Sequence, residues 1–352
     1  MFRRRGRTIM YKNILQKATT NQELSEQEIS LLINSINNEE VSDVQIAAFQ
    51  VALLMKGASL KEISYIAKSM RENCVPLRPQ VEQEMMDTCG TGGGLSTFNI
   101  STATAIVAAA AGIPIAKHGS RSISSLSGSA DVLETLGVNI NLTPAQVEKM
   151  IEDIGIAFIY APLFHPVMCK VLPAESELGI KTIFYSIIGP LINPAFAPRH
   201  LLGVYKPDLL DTVAYVAKEL GYTNAMFVHG LDGLDEISLL GKTRINRLVE
   251  GEITSFEIAP EDFGMNRCTL EEIKTGTPEE NAITIRGVFS GEITGPRRDA
   301  IVLNAAGALI VGGKADDFQQ GIKLAGELID NGAATRKLDQ LCQMSNSFGS
   351  ES

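Results

Sequence analysis

Residues 87–136 read DTCGTGGGLSTFNISTATAIVAAAAGIPIAKHGSRSISSLSGSADVLETL. A short apolar run leads into this stretch, and four glycines fall within residues 90–94. An alanine-rich run at 103–111 is typical of a helix, and the apolar run at 113–116 is typical of a strand. Because strands alternate with helices from this point onward, the sequence predicts a largely parallel α/β sheet.

The same stretch carries the groups that bind phosphate. A loop dense in glycine lets backbone N–H groups approach an anion without obstruction by Cβ atoms. Ser101 and Thr102 stand at the expected positive end of the following helix, and Lys117 and Arg121 follow the second strand. A flexible Gly/Ser linker is the alternative, but such linkers lack flanking strands, buried helices and strand-end cations. We therefore predict a phosphate or pyrophosphate site.

The first part of the chain has a different pattern. Residues 11–80 predict helices only, with capping boxes that start at Ser25, Ser42 and Ser59. The run at 44–55 is apolar nearly all round, so we expect it both to pack on the rest of the chain and to form an interface between two copies. We predict a helical domain at 11–80 with a returning segment near 163–187, an α/β domain at 81–162 and 188–345, and a disordered leader at 1–10.

Composition narrows the class of protein. The 352 residues carry 31 basic and 41 acidic side chains, a net charge of −10, which disfavours a nucleic-acid partner. Five scattered cysteines without a C-x-x-C pair argue against a structural zinc site or disulfide framework and favour the cytoplasm. No apolar run reaches the ~18 residues of a membrane span, so we expect no membrane partner.

A carboxylate cluster comes after the strand predicted at 224–229. Asp232, Asp235 and Glu236 lie within five residues at its carboxyl end, where open α/β sheets place ligand-binding groups. Hard carboxylate oxygens suit Mg²⁺, and a solvated acidic turn is the alternative. With a phosphate site upstream, the sequence favours Mg²⁺ beside a diphosphate leaving group.

Several motifs resemble a known family. GTGG followed by FNIST, then KHGSRSISSLSGSADVLETLG, GPLINPA and DGLDE, in this order, resemble the anthranilate phosphoribosyltransferase family over roughly residues 11–340. The wider fold family includes the pyrimidine nucleoside phosphorylases. The resemblance implies a small all-helical N-terminal domain, a larger α/β domain with a central, mostly parallel sheet, an active site in the cleft between them, and a homodimer. It also implies transfer of phosphoribosyl from phosphoribosyl pyrophosphate (PRPP) to anthranilate, with Mg²⁺ as cofactor, in tryptophan biosynthesis.

The resemblance assigns roles by position. Lys117, His118 and Arg121 are the implied catalytic residues, although no side chain need act as a nucleophile. The implied metal ligands are Ser101, Asp235 and Glu236, and the implied acceptor-binding residues are Gly90, His118, Ser120 and Glu175. The implied PRPP-binding residues are Gly90, Thr91, Gly92, Gly93, Thr97, Asn99, Ser101, Thr102, Lys117, Gly119, Ser122, Ser124, Ser125 and Ser129.

Three positions depart from the family's pattern. The glycine loop is one residue shorter and lacks an Asp, and Ser120 replaces an Asn. Glu175 stands where the family carries an Arg that pairs with the carboxylate of anthranilate, and Arg is the better partner for a carboxylate. The alternatives are therefore a paralogous phosphoribosyltransferase or nucleoside phosphorylase with another nitrogenous acceptor, or a non-catalytic nucleotide- or nucleic-acid-binding relative.

Overall fold

The structure, a computed structural model, describes residues 2–122 and 126–348. Four helices precede the first strand: α1 (Phe2–Thr19), α2 (Glu26–Asn37), α3 (Asp43–Lys56) and α4 (Leu60–Glu72). The capping boxes at Ser25, Ser42 and Ser59 start α2, α3 and α4 as predicted. Helix α1 begins at Phe2, and the prediction of a leader at 1–10 stays a prediction.

The rest of the described chain builds one sheet and its helices. The strands are β1 (Met86–Gly90), β2 (Ile115–Gly119), β3 (Ile156–Tyr160), β4 (Arg199–Gly203), β5 (Asn224–Gly230), β6 (Thr243–Val249) and β7 (Glu252–Ile258). The helices are α5 (Ile100–Ala110), α6 (Ser129–Leu136), α7 (Pro144–Ile154), α8 (Ala161–Phe164), α9 (Pro166–Leu178), α10 (Gly189–Leu191), α11 (Pro207–Glu219), α12 (Leu270–Ile273), α13 (Pro278–Ser290), α14 (Pro296–Val311), α15 (Phe318–Asp330) and α16 (Ala333–Ser347). A π-helix spans Phe184–Ile188 and a 3₁₀-helix spans Pro260–Phe263.

The strand order locates the candidate site. The sheet runs β3-β2-β1-β4-β5-β6-β7, parallel from β3 to β5 and antiparallel through β6 and β7. The prediction of a mostly parallel sheet beside a small helical unit is confirmed. The chain moves outward to β2 and β3 on one side of β1 and to β4 and β5 on the other. The order reverses between β1 and β4, which is where open α/β sheets bind ligands.

Three prolines lie in helical segments. Pro173 lies inside α9, and Pro166 begins that helix at a position where no N–H is needed. Pro190 lies in α10 directly after the π-helix. In both helices the neighbouring turns tolerate the missing proline N–H.

Helix α9 carries the chain back towards the N-terminal helices. It packs on α2 and α3, and the Gln50 side chain on α3 donates to the Val171 carbonyl at 3.2 Å. A single apolar core joins α2, α3, α9, the π-helix and α11 to one face of the sheet. The exact domain bounds stay a prediction. No helix among the described residues has the length and apolar character needed to cross a bilayer.

Candidate active site

The glycine-rich loop lies at the carboxyl end of β1, beside β4. Thr91 fastens it there, because its N–H donates to the Gly203 carbonyl at 2.9 Å and its Oγ1 accepts from the Tyr205 N–H at 3.0 Å. Thr91 is buried. Both of its polar groups therefore hold the loop on the sheet, whereas the sequence predicted Thr91 as a PRPP contact.

Asp235 is seated in the glycine loop. Its Oδ2 accepts from the Gly92 N–H at 2.9 Å, and a Cβ built on Gly90 would lie 2.5 Å from the same oxygen. A Cβ on Gly94 would lie 2.7 Å from the Gly233 carbonyl oxygen. The loop is therefore rich in glycine partly because the turn at 232–236 fills the space that side chains would take. One of the N–H groups expected to bind an anion is already used by a carboxylate.

Glu236 lies beside the start of α5. Burial raises the pKa of Glu236 well above its ordinary value, and the Asp235 charge raises it further, while Lys117 and the Ser101 N–H lower it. Burial also raises the pKa of Asp235. Two neighbouring carboxylates in a poorly solvated place favour a bound cation. The oxygen donors of Ser101, Asp235 and Glu236 fit Mg²⁺, which prefers hard oxygen ligands.

The start of α5 is held by a hydrogen-bond network. The Asn99 Oδ1 accepts from Ser127 Oγ at 3.1 Å and from Asn281 Nδ2 at 2.9 Å, which ties α5 to the serine-rich loop and to α13. Thr97 forms an antiparallel bridge with Lys274. Thr102 faces the core, where its buried hydroxyl has no hydrogen-bond partner among the described residues. The prediction that Thr102 meets a phosphate stays a prediction.

Lys117 points across the sheet. Its Nζ donates to the Thr88 carbonyl at 2.7 Å, and burial lowers its pKa. The sequence predicted that Lys117 and Arg121 both point at a bound anion. In the structure, Lys117 instead contributes a buried positive charge beside β1 and Glu236. Gly119 is required at the end of β2 because a side chain there would overlap the Ser129 hydroxyl.

Arg121 is paired within the protein. Its Nη1 lies 2.9 Å from Asp131 Oδ1 and 2.5 Å from Glu134 Oε2, both on α6. These partners raise the pKa of Arg121. Asp131 Oδ2 also accepts from the N–H groups of Ser122 and Gly128, at 3.2 and 2.8 Å. In this conformation Arg121 anchors the serine-rich loop and does not point into it. Ser124 and Ser125 lie outside the described residues.

His118 forms a buried pair with His165. Their Nε2 atoms lie 3.1 Å apart, with the rings edge to face. Burial lowers the pKa of His118 to about 4 and that of His165 well below its ordinary value. Both rings are therefore neutral at physiological pH, and one nitrogen donates while the other accepts. The pair joins the end of β2 to the start of α9.

Comparisons with known proteins agree with this arrangement. The model of the glycosyl transferase family, a/b domain, matches residues 82–335, and that of the glycosyl transferase family, helical bundle domain, matches residues 12–74. The anthranilate phosphoribosyltransferase of Acetivibrio thermocellus is 47% identical over 340 residues, which cover 96% of this chain and 98% of that protein. The chain belongs to the anthranilate phosphoribosyltransferase family.

Solved structures of anthranilate phosphoribosyltransferases have the same fold. The Thermus thermophilus enzyme has a TM-score of 0.88 at 38% identity, over 95% of this chain and 99% of that one. The Saccharomyces cerevisiae enzyme in complex with PRPP and Mg has a TM-score of 0.87 at 28% identity, over 96% of this chain and 98% of that one. The family assignment made from the motifs is thereby confirmed.

Glu175, one of the predicted acceptor-binding residues, is bonded within the protein. It is 5% exposed, and its Oε1 accepts from the Thr182 hydroxyl. Burial raises its pKa, which the Thr182 and Tyr185 hydrogen bonds lower. Its carboxylate is therefore bonded within the protein, and the prediction that Glu175 contacts the acceptor stays a prediction. Ser120 is exposed and donates to the Arg121 carbonyl at 3.0 Å.

Sequence reasoning missed Asp87, whose carboxylate accepts hydrogen bonds from residues of β1, β2 and the segment before β4. Asp87 Oδ1 accepts from the Thr88 and His118 N–H groups at 2.7 and 3.1 Å, and Oδ2 accepts from Asn193 Nδ2 at 2.7 Å. Burial raises its pKa. Its signal was an aspartate near the start of a strand, directly after the apolar Met85 and Met86, because a carboxylate there must find buried donors.

Cys89, which is partly buried, and the buried His200 form a further contact beside Asp87. The Cys89 Sγ lies 3.2 Å from His200 Nε2, and one ligand atom from each of the three residues lies within 4.8 Å of the others. Burial raises the pKa of the Cys89 thiol well above its ordinary value and lowers that of His200 to about 3. A neutral thiol that donates to the neutral imidazole satisfies the thiol and His200 Nε2, so the contact is structural, while the buried His200 Nδ1 has no hydrogen-bond partner among the described residues.

Proposed function

We propose that this protein transfers the phosphoribosyl group of PRPP to the amine of anthranilate and releases pyrophosphate, in the cytoplasm. The amine nitrogen forms a bond to the anomeric carbon, the bond from that carbon to the pyrophosphate oxygen breaks, and its electron pair leaves with pyrophosphate. The amine then loses a proton to solvent. The observation that carries the proposal is the Asp235–Glu236 turn seated in the glycine loop at the sheet's switch point.

Residues around this turn supply the chemistry. Ser101, Asp235 and Glu236 would hold Mg²⁺, which would offset the charge that develops on the departing pyrophosphate. The glycine-loop N–H groups and the start of α5 provide further positive potential. The Gly92 N–H donates to Asp235 Oδ2 and so helps to position one of the carboxylates that would hold Mg²⁺. The chemistry needs position and charge and no side-chain nucleophile.

A paralogous reaction with another nitrogenous acceptor is the second candidate. Glu175 supports it, because this chain lacks the Arg that the resemblance implies for the carboxylate of anthranilate. A nucleoside phosphorylase would use free phosphate in place of PRPP. We call the glycine loop, the start of α5 and the Asp235–Glu236 turn the phosphoribosyl half of the site. Either candidate reaction would use this half and would differ in the substrate that reacts with the ribose.

An acceptor screen tests both candidates. The purified protein is incubated with PRPP, Mg²⁺ and one amine at a time, and pyrophosphate release is followed together with loss of anthranilate fluorescence. Turnover with anthranilate that is lost in the Asp235→Ala/Glu236→Ala double variant supports the proposal. Turnover with another amine alone supports the paralogous reaction. Unchanged turnover in the double variant contradicts the metal assignment.

We also propose that the protein is a homodimer. A groove of about 730 Å³ between α1, α3 and the end of α9 is lined mainly by small and apolar side chains. On α3, Val44 is 80% and Met55 is 81% exposed. An apolar helical face of this kind, beside the face that packs on α9, supports contact with a second copy.

A further inference from the structure

Lys181 lies against the glycine loop. A Cβ built on Gly93 would stand 3.1 Å from Lys181 Nζ and 3.7 Å from the Tyr205 ring. A Cβ built on Gly92 would stand 3.2 Å from the Tyr185 hydroxyl. One ammonium group and two aromatic rings therefore converge on two adjacent glycines.

Lys181 differs in its contacts from Lys117, Arg121 and Lys170. The Nζ of Lys117 is bonded to the Thr88 carbonyl, Arg121 is paired with α6, and Lys170 is paired with Glu39 at 3.0 Å. Lys181 is exposed and forms no ion pair within 4 Å in the described part of the chain. Its Nζ lies 5.1 Å from the centroid of the Tyr185 ring, a cation–π contact that orders the side chain and keeps its charge available.

The position of Lys181 favours contact with the aromatic acceptor over contact with PRPP. Lys181 follows α9 and approaches the loop from the side of the N-terminal helices, whereas α5 and the end of β2 approach it from the sheet. Two tyrosine rings suit a planar aromatic molecule, since aromatic pairs stack favourably.

We propose that Lys181 is a specificity-determining residue whose ammonium group binds the carboxylate of the aromatic acceptor, between Tyr185 and Tyr205. This inference rests on the proposed phosphoribosyl transfer. It gives the acceptor a cationic partner in a chain where Glu175 replaces the Arg implied by the resemblance. Glu175 interacts electrostatically with Lys181 and, while ionised, weakens the positive potential that the acceptor meets.

The test compares Lys181→Met with Lys206→Met. Methionine keeps the apolar stem and removes the charge. Lys206 is the control because its Nζ makes a comparable cation–π contact, 5.3 Å from the Tyr205 ring centroid, but is not among the three atoms nearest to a Cβ built on Gly93. We expect the KM for anthranilate to rise about 10-fold or more in Lys181→Met, as the loss of a charge-assisted hydrogen bond implies. We expect the KM for PRPP to change less than about 2-fold, and Lys206→Met to match the wild type. Lys181→Arg should restore most of the affinity for anthranilate.

Aniline lacks the carboxylate of anthranilate, so a comparison of the two amines tests the proposed contact directly. If Lys181 had only a structural role, its substitution would affect both amines equally. The ratio of kcat/KM for anthranilate to that for aniline should fall in Lys181→Met and stay constant in Lys206→Met. A rise in the KM for PRPP, with unchanged anthranilate KM, would assign the ammonium to pyrophosphate and overturn the proposal. Unchanged values for both substrates would overturn it as well.

Calorimetry separates this proposal from the proposed function. Anthranilate is titrated into the wild type and into Lys181→Met in the presence of Mg²⁺, without PRPP. If the wild type shows no turnover but binds anthranilate more tightly than the variant, the proposed reaction fails and the Lys181 assignment stands. Equal or absent binding in both proteins would remove the Lys181 assignment, whatever the activity.

Discussion

Gly203 on β4 faces the main chain of Asp235 so closely that a methyl group at its α-carbon would overlap the Asp235 carbonyl oxygen. Backbone atoms cannot move aside as a flexible side chain can. We expect Gly203→Ala to displace the 232–236 turn, to lower Mg²⁺-dependent turnover more than about 10-fold and to cost about 1–3 kcal/mol of stability. Gly241→Ala is the control, because its Cβ would meet Asp232 Oδ2 at an ordinary 3.4 Å. Equal activity in the two variants would contradict this prediction.

Glu236 makes the unliganded protein less stable. Its pKa is raised in the folded state mainly by burial, so the stability associated with its protonated form is present at low pH and is lost as pH rises through the folded pKa. We expect Glu236→Gln to abolish turnover, to raise Tm without Mg²⁺ by about 2 °C or more, and to remove the Tm increase caused by Mg²⁺. Calorimetry between about pH 5 and pH 8 should show a flatter pH dependence of Tm in this variant. The exposed Glu292→Gln should behave like the wild type, and a lower Tm in Glu236→Gln would refute the prediction.

The His118–His165 pair predicts a loss of stability in acid. Because burial lowers the pKa of His118 to about 4, the unfolded chain binds more protons than the folded one below the ordinary pKa of 6.5, and stability falls from there towards pH 4. We expect His165→Phe to reduce this slope in urea unfolding, since one of the two depressed imidazoles is removed. Some dependence of the unfolding free energy on pH should remain, because the pKa of His200 is also lowered, to about 3. An unchanged slope would show that the pair is protonated in the folded state.

Glu175→Gln should strengthen binding of anthranilate. The substitution removes a negative charge close to Lys181 and keeps an oxygen that can accept from Thr182. We expect the KM for anthranilate to fall about 2–10-fold, a range set by a charge partly screened by solvent. The exposed Glu177, two residues further along α9, provides the control Glu177→Gln. Glu175→Arg is the less informative change here, because it places a long cation where a buried carboxylate is hydrogen-bonded. An unchanged KM in Glu175→Gln would leave Glu175 a purely structural residue.

Met55→Glu should weaken the proposed dimer. Met55 is 81% exposed on α3 and lines the apolar groove, so a charge there opposes burial against a second copy. We expect sedimentation at micromolar concentration to shift from dimer towards monomer. Ile283→Glu, at an apolar position on α13 that is 67% exposed, should leave the dimer intact. A wild-type protein that sediments as a monomer would remove the proposal.

The phosphoribosyl half of the site could be predicted because its signals are local. The glycine run, the start of α5 and the Asp235–Glu236 turn each lie within a few residues of chain at the end of a strand. The sequence also predicted that these three features lie close together, because the carboxyl ends of parallel strands share one edge of a sheet.

The remaining features depend on contacts between distant residues. Asp87 meets Asn193 across 106 residues, and His118 meets His165 across 47. No local pattern shows that the Gly92 N–H is taken by Asp235, that Lys117 turns to the Thr88 carbonyl, or that Glu175 is satisfied by Thr182. Such pairings arise only when the buried polar groups of the folded chain find partners.

The π-helix Phe184–Ile188 places one extra residue in the backbone shortly after Lys181. Removal of one residue there would convert the segment to an α-helix and rotate the chain before it by about 100° relative to the chain after it. Lys181 would then leave the glycine loop, although every side chain of the phosphoribosyl half stayed in place. With the role proposed for Lys181, a single insertion or deletion in this turn would therefore change which aromatic amine the enzyme accepts. The binding of PRPP would stay the same.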